Sequence, residues 1–172
     1  TYNLPVLCTY EHQDIISNDN LHYAGELGLR PPEPVRKNAL EADLVLVVGH
    51  RFNGVPNMAY KFPSPKQTFI HVIPDPNTIG KIFRTDMGIV ADSENFLEQL
   101  SNFANDNKNN ERNEWVKLCH HRYLNNDATV TPRNANDGLD FAHFIDGLGK
   151  IAPENSIITN DAGNFTSWMH HR

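Results

Sequence analysis

Asp43-Leu44-Val45-Leu46-Val47-Val48-Gly49 sets five consecutive large aliphatic side chains between an aspartate and a glycine. Successive side chains of a strand point to opposite faces, so a run that is apolar at every position has two faces to bury. That fits a strand of a parallel sheet covered by helices on each side. Upstream, Pro34 to Ala42 is built from good helix formers with a proline suited to the first turn. Further upstream, Pro5 to Tyr10 is a short apolar run, expected to be a buried strand. The stretch between it and Pro34 mixes Asn, Asp, Gly and Pro and reads as a long surface connection with room for a helical turn.

Downstream, His50 to Lys66 is a loop rich in Pro and Asn. Gln67 to Ile73 is β-branched and aromatic, and Pro74-Asp75-Pro76 stops it. Met87 to Ala91 is another short apolar segment. Ser93 then stands where a cap is expected, before Phe96, Leu97, Leu100 and Phe103 at helical spacing. Such strand–helix alternation predicts an α/β sheet. Asn105 to Asn110 is polar throughout and breaks the composition, as a linker does. Glu111 to Asn125 reads as a helix with Trp115, Leu118 and Cys119 on one face. After a loop at Asp127 to Asn136, a second helix lines up Phe141, Ala142, Ile145 and Leu148, with Gly147 and Gly149 weakening its end and Pro153 closing it. Ser156 to Thr159 is expected to be a strand running into the turn Asp161-Ala162-Gly163-Asn164-Phe165.

The 172 residues suit one domain plus an appendage, and 39% hydrophobic content is enough for a core. A net charge of -6 with no Lys/Arg cluster argues against nucleic acid as a partner. No apolar run approaches the ~20 residues that span a bilayer, and no secretory leader opens the chain. Cys8 and Cys119 lie far apart and read as free thiols of a reducing, cytoplasmic protein. Thr1 is followed almost at once by an apolar stretch, and the last residues read as a helix barely begun. These ends predict a piece of a longer protein.

Gly49 stands at the carboxyl end of the best strand, where open α/β sheets bind ligands. Arg51, two residues on, could meet a phosphate with its fork of donors; the plainer reading makes it a surface charge and Gly49 a turn residue. No G-x-G-x-x-G occurs, and Gly49 to Gly54 lacks the Lys-Ser/Thr of a P-loop. The nine histidines include the adjacent pairs His120-His121 and His170-His171. Adjacent helical residues diverge by about 100°, so neither pair chelates well, and no metal site is expected. His71, within a strand, reads as a satisfied buried or edge residue. Gly163 and Asn164, between a strand end and a helix start, could offer backbone amides to an anion, or could form an ordinary capped turn. No Ser-His-Asp or Cys-His arrangement can be argued from spacing.

Several segments stand in order along the chain: Leu4-Pro5-Val6, Tyr23-Ala24-Gly25-Glu26-Leu27-Gly28, Ala42 through Phe52, His71 through Gly80 with Asp75-Pro76 and Ile79-Gly80, Val90-Ala91-Asp92, and Ile158 through Phe165 with Trp168. Taken together the set resembles the thiamine-diphosphate enzymes that include acetolactate synthase and pyruvate decarboxylase. The resemblance implies a parallel-sheet, Rossmann-like central α/β domain over residues 1–104, with helices on both faces. A linker and helical connector at 105–154 would follow, then the first strand of a second, diphosphate-binding α/β domain at 155–172. It implies a parent enzyme, at least a dimer, that uses thiamine diphosphate and Mg2+ to make or break a carbon–carbon bond next to the carbonyl of a 2-oxo acid. The activating glutamate and the metal motif of the family fall outside this chain, which by itself would hold no catalytic residue and no metal ligand and would be silent. Asp161, Gly163 and Asn164 would lie near the cofactor diphosphate. Gly49, Arg51 and Asp75 would mark the central-domain site that takes FAD or ADP in some members. Ile73 stands where flavin-containing relatives usually carry an acidic residue, which departs from the FAD pattern. Two rival readings are a non-catalytic nucleotide-binding or assembly module of the same fold, and an NAD-dependent deacylase, whose glycine-rich loop and zinc cysteines are missing here.

Overall fold

A computed structural model of the chain describes residues 2–10, 12–103, 110–125, 138–161, 163 and 165–170. The chain divides into two compact units, Thr1–Tyr123 and Leu124–Arg172, each of which is described by itself.

The first unit is an α/β fold of five parallel strands in two sheets. β1 (Val6–Thr9) pairs with β2 (Tyr23–Leu27), and β3 (Leu44–Val48), β4 (Thr68–Val72) and β5 (Met87–Ile89) form a sheet in that order. β2 falls inside the stretch expected to be a surface connection. Gly25 and Glu26 interrupt its apolar pattern, although Tyr23, Ala24, Gly25 and Leu27 are all buried. Gly25 has φ +108 and sits where the pairing register shifts between Val6 and Cys8. A Cβ there would come within 2.7 Å of Val35 on α1 (Glu33–Leu40), so both the bulge and the close helix require glycine. The expected helical turn in the same stretch is a short 3-10 turn at Gln13–Ile15.

β3 forms where its apolar run predicts, yet its cover is incomplete: Val47 is buried, while Leu44 is 45% exposed. β3 lies at the edge of its sheet, whereas β4 is central and buries Phe69, His71 and Val72. Leu27, Ala39, Val47, Phe52, Phe62 and Phe69 pack into one core, so both sheets and α1 share an interior. α1 is closed by a distant side chain: Gln67 Nε2 donates to the carbonyls of Ala39 (2.9 Å) and Ala42 (2.7 Å). α2 (Ser93–Asn102) is capped by Asp92, whose carboxylate accepts from the amides of Glu94 and Asn95. Ser93 is therefore the first helical residue and not the cap. The carboxylate one step earlier reaches both amides.

α3 (Asn110–Leu124), expected within the connector, packs on the first unit. Its buried face is Val116 and Cys119, and Leu118 is exposed. The buried amide of Asn38 on α1 donates to the carbonyls of Ala24 on β2 (3.0 Å) and Cys119 on α3 (2.9 Å). His120 Nδ1 meets the Tyr23 carbonyl at 2.8 Å, so this nitrogen carries the proton, and Arg122 pairs with Glu41 at 2.7 Å.

In the second unit α4 (Phe141–Ile151) starts at Asp140, whose carboxylate accepts from the Ala142 amide, and buries Ala142 and Ile145. The helix runs on through Gly147 and Gly149. α5 (Thr166–His170) follows the turn, and Phe165 packs edge-on against Phe141 at 5.2 Å. Ser156–Thr159 is not a strand: it has no pairing partner among the described residues, and Ile157 is 91% exposed. A strand needs a neighbour to take its amides and carbonyls. Most of the Asn-rich segment and the loop expected at 127–136 lie outside the described residues.

Candidate functional site

The loop leaving β3 carries the best-developed site. Gly49 has φ +75, and its amide donates to the Val72 carbonyl at 2.9 Å. A Cβ at Gly49 would collide with Ser93 Oγ, so the end of β3 rests on the start of α2. Phe52 then turns inward with φ +54 and packs with Phe62, Phe69 and Phe83 at 5.6, 5.9 and 6.2 Å between ring centres. A left-handed conformation costs a non-glycine residue about 1–2 kcal/mol, which this aromatic burial offsets. Met58, Ala59 and Tyr60 are left-handed in succession (φ 53, 56 and 67). Asn57, fully buried, holds them: its amide donates to the Phe52 carbonyl (3.0 Å), and its Oδ1 accepts from the Tyr60 amide (2.8 Å). Its own carbonyl accepts from Lys61 and Phe62. Sequence patterns miss Asn57, because a polar residue in a Pro- and Asn-rich loop resembles surface.

His50 and His71 fasten the start of this loop. A backbone amide can only donate, so His50 Nδ1, 2.7 Å from the Phe52 nitrogen, is an unprotonated acceptor. A carbonyl can only accept, so His71 Nε2 donates to the His50 carbonyl at 2.9 Å. His71 is thus the satisfied buried residue its strand position suggests. Burial lowers the His50 pKa below the ordinary value, and the charges of His12 and His71 act the same way.

Arg51 lines a small open cleft of about 180 Å³ with Phe52, His71, Thr78, Gly80 and Phe83. Asp75 is bonded to Thr78, one of the lining residues. Its carboxylate accepts from the Asn77 amide (3.0 Å) and the Thr78 hydroxyl (3.1 Å). Those bonds, with the Arg51 charge as a smaller contribution, hold the acid below its usual range. The structure thus brings Arg51 and Asp75 together, with Gly49 fixed against α2, at the carboxyl edge of the β3-β4-β5 sheet. Asp75 is already engaged by the Asn77 amide and the Thr78 hydroxyl, which lower its pKa, so it is a poor base. The arrangement offers the Arg51 cation to an anionic ligand, the Thr78 hydroxyl being already donated to Asp75.

In the second unit the carbonyls of Asp161 and Gly163 accept from the Thr166 hydroxyl (2.6 Å) and amide (3.1 Å). Asn164 lies outside the described residues. Open space surrounds the position of a Cβ at Gly163, so packing does not demand glycine there. A diphosphate needs converging donors, whereas this turn presents the Asp161 carboxylate and a hydroxyl already spent on a carbonyl. The described atoms of the turn do not by themselves fit that group.

Cys8 and Cys119 are free and buried. Burial pushes both thiols up, Cys119 to about 12. Among the described residues no group of three or more His, Cys, Asp or Glu could hold a metal ion, and no helix is long and apolar enough to cross a membrane.

Residues 1–100 match the family described as thiamine pyrophosphate enzyme, central domain. The chain is 26% identical to the probable acetolactate synthase large subunit of Methanocaldococcus jannaschii, over 98% of its own length and 29% of the relative's. It is 21% identical to the acetolactate synthase isozyme 2 large subunit of Escherichia coli, over 96% and 29%. It is 22% identical to a probable sulfoacetaldehyde acetyltransferase of Rhizobium meliloti, over 93% and 31%. The chain therefore spans less than a third of the length of these curated relatives.

Proposed function

The chain belongs to the central-domain family of thiamine pyrophosphate enzymes, and from that premise we propose that it is the middle part of an acetolactate synthase-like enzyme. The observation that carries this reading is similarity to acetolactate synthase large subunits along nearly the whole chain, beyond the matched domain. The whole protein acts on a 2-oxo acid such as pyruvate, with thiamine diphosphate and Mg2+, as an oligomer of at least two chains. When bound, thiamine diphosphate supplies an electron sink beside the substrate carbonyl. Residues 1–104 form the central domain, 105–154 connect, and 155–172 begin the diphosphate-binding domain, with Asp161, Gly163 and Asn164 approaching the cofactor once further groups complete the cradle. This chain contributes architecture and anion binding, and alone it is silent.

Arg51, which lines the cleft at the edge of the central sheet, also supports a nucleotide there, through Gly49, Arg51 and Asp75. ADP suits the site better than FAD, since Ile73 stands in place of the acidic residue. Calorimetric titration of the 172-residue chain with each nucleotide tests this. Binding that falls at least tenfold in Arg51→Ala is expected, and equal binding by that variant removes Arg51 from the site. For the whole protein, product analysis after supplying pyruvate or sulfoacetaldehyde decides the substrate. Acetolactate from pyruvate is expected, and acetyl transfer from sulfoacetaldehyde alone refutes the acetolactate synthase reading.

A further inference from the structure

We propose that His50 is a proton-operated latch on the loop that carries Arg51. This concerns the loop itself and holds whether or not the edge above it takes a nucleotide. Two hydrogen bonds of forced polarity meet at His50. Its Nδ1 accepts the Phe52 amide at 2.7 Å, and its carbonyl accepts His71 Nε2–H at 2.9 Å. Between them lies Arg51, and beyond them Phe52 keeps its left-handed turn over the aromatic core.

The two bonds respond differently to a proton. The His71 bond is made by a nitrogen that already carries its proton. His50 accepts through Nδ1 only while that nitrogen is bare. A proton added there sets two donors face to face and removes the acceptor of a part-buried amide. The groups acting on His50 from neighbouring elements are His12, in the segment after β1, and His71 on β4; positive charge on either opposes its protonation. On its own loop Arg51 is adjacent. α2 meets Gly49 through Ser93, and its capping carboxylate, Asp92, is held by the amides of Glu94 and Asn95.

The sign follows. His50 is depressed in the folded chain, so the latch is fully closed above the ordinary histidine value of about 6.5 and opens as pH falls through the lower, folded value. Opening frees the Phe52 amide and lets Arg51 leave the cleft. The same loop holds its position at neutral pH and yields it in mild acid, as histidine switches do.

Amide and imidazole NMR of the full 172-residue chain between about pH 8 and about pH 5 tests the latch. The expected result is a His50 titration below about 6.5, with the Phe52 amide shifting at the same midpoint and losing at least tenfold in exchange protection. His50→Asn, whose Oδ1 takes the place of Nδ1, should keep the Phe52 amide protected across the range. His50→Leu should leave it unprotected throughout. A Phe52 amide that stays protected while His50 titrates in the wild-type chain overturns the proposal, as does a His50 that titrates at or above the ordinary value. The wild-type titration needs no variant and decides the matter even if a substituted chain does not fold.

Discussion

Asn38 joins three elements of the first unit. One buried amide on α1 serves carbonyls from β2 and α3, so removing it takes a donor from both. Asn38→Ala should cost about 2 kcal/mol in a urea unfolding series; a loss below about 0.5 kcal/mol would mean that water replaces the amide. Gly49 poses a different problem, because its φ of +75 and its contact with Ser93 each oppose a side chain. Gly49→Ala should cost at least about 1–2 kcal/mol from the backbone alone. Adding Ser93→Ala should recover the collision and leave the backbone part, which a double-mutant cycle separates. The thiols give a simpler check. Cys8 and Cys119 are buried and raised, so neither should react with a thiol reagent at neutral pH until the chain is unfolded. Rapid labelling of the native chain would contradict their burial.

The elements divide by how each announces itself in the chain. β3 and β4 were legible because consecutive aliphatic or β-branched residues have little use except in a parallel strand. α1 and α2 were legible from helix formers and from Phe96, Leu97 and Leu100. β2 was hidden because its Gly25 serves a bulge and a close helix contact, which no periodicity encodes. The cover of β3 was overread, since a run of aliphatics reports apolar demand and not position within the sheet; Leu44 at the edge stays half in water. Ser156–Thr159 shows the converse, as an apolar run becomes a strand only beside a partner. The position of Gly49 and Arg51 just past β3 was legible from the apolar run before them. His50 and Asn57 were not, because their roles are single hydrogen bonds fixed by the fold. Asp92 offers a test at this scale. Asp92→Ala should cost about 1 kcal/mol and raise amide exchange in the first turn of α2, whereas Ser93→Ala should change little.

Over the whole molecule, an acidic chain with a family match to a central domain and similarity running on into the second unit points to one part of a larger catalyst. What the first unit supplies is a parallel-sheet scaffold with Arg51 at its carboxyl edge. Neither unit, among the described residues, gathers a metal-binding group. The central claim is tested most directly by carbon dioxide release from pyruvate, measured on the whole protein and on the 172-residue chain, with and without thiamine diphosphate and Mg2+. The account predicts release by the whole protein only when both cofactors are present, and none by the chain alone. Release that does not depend on thiamine diphosphate, or turnover by the isolated chain, would contradict it.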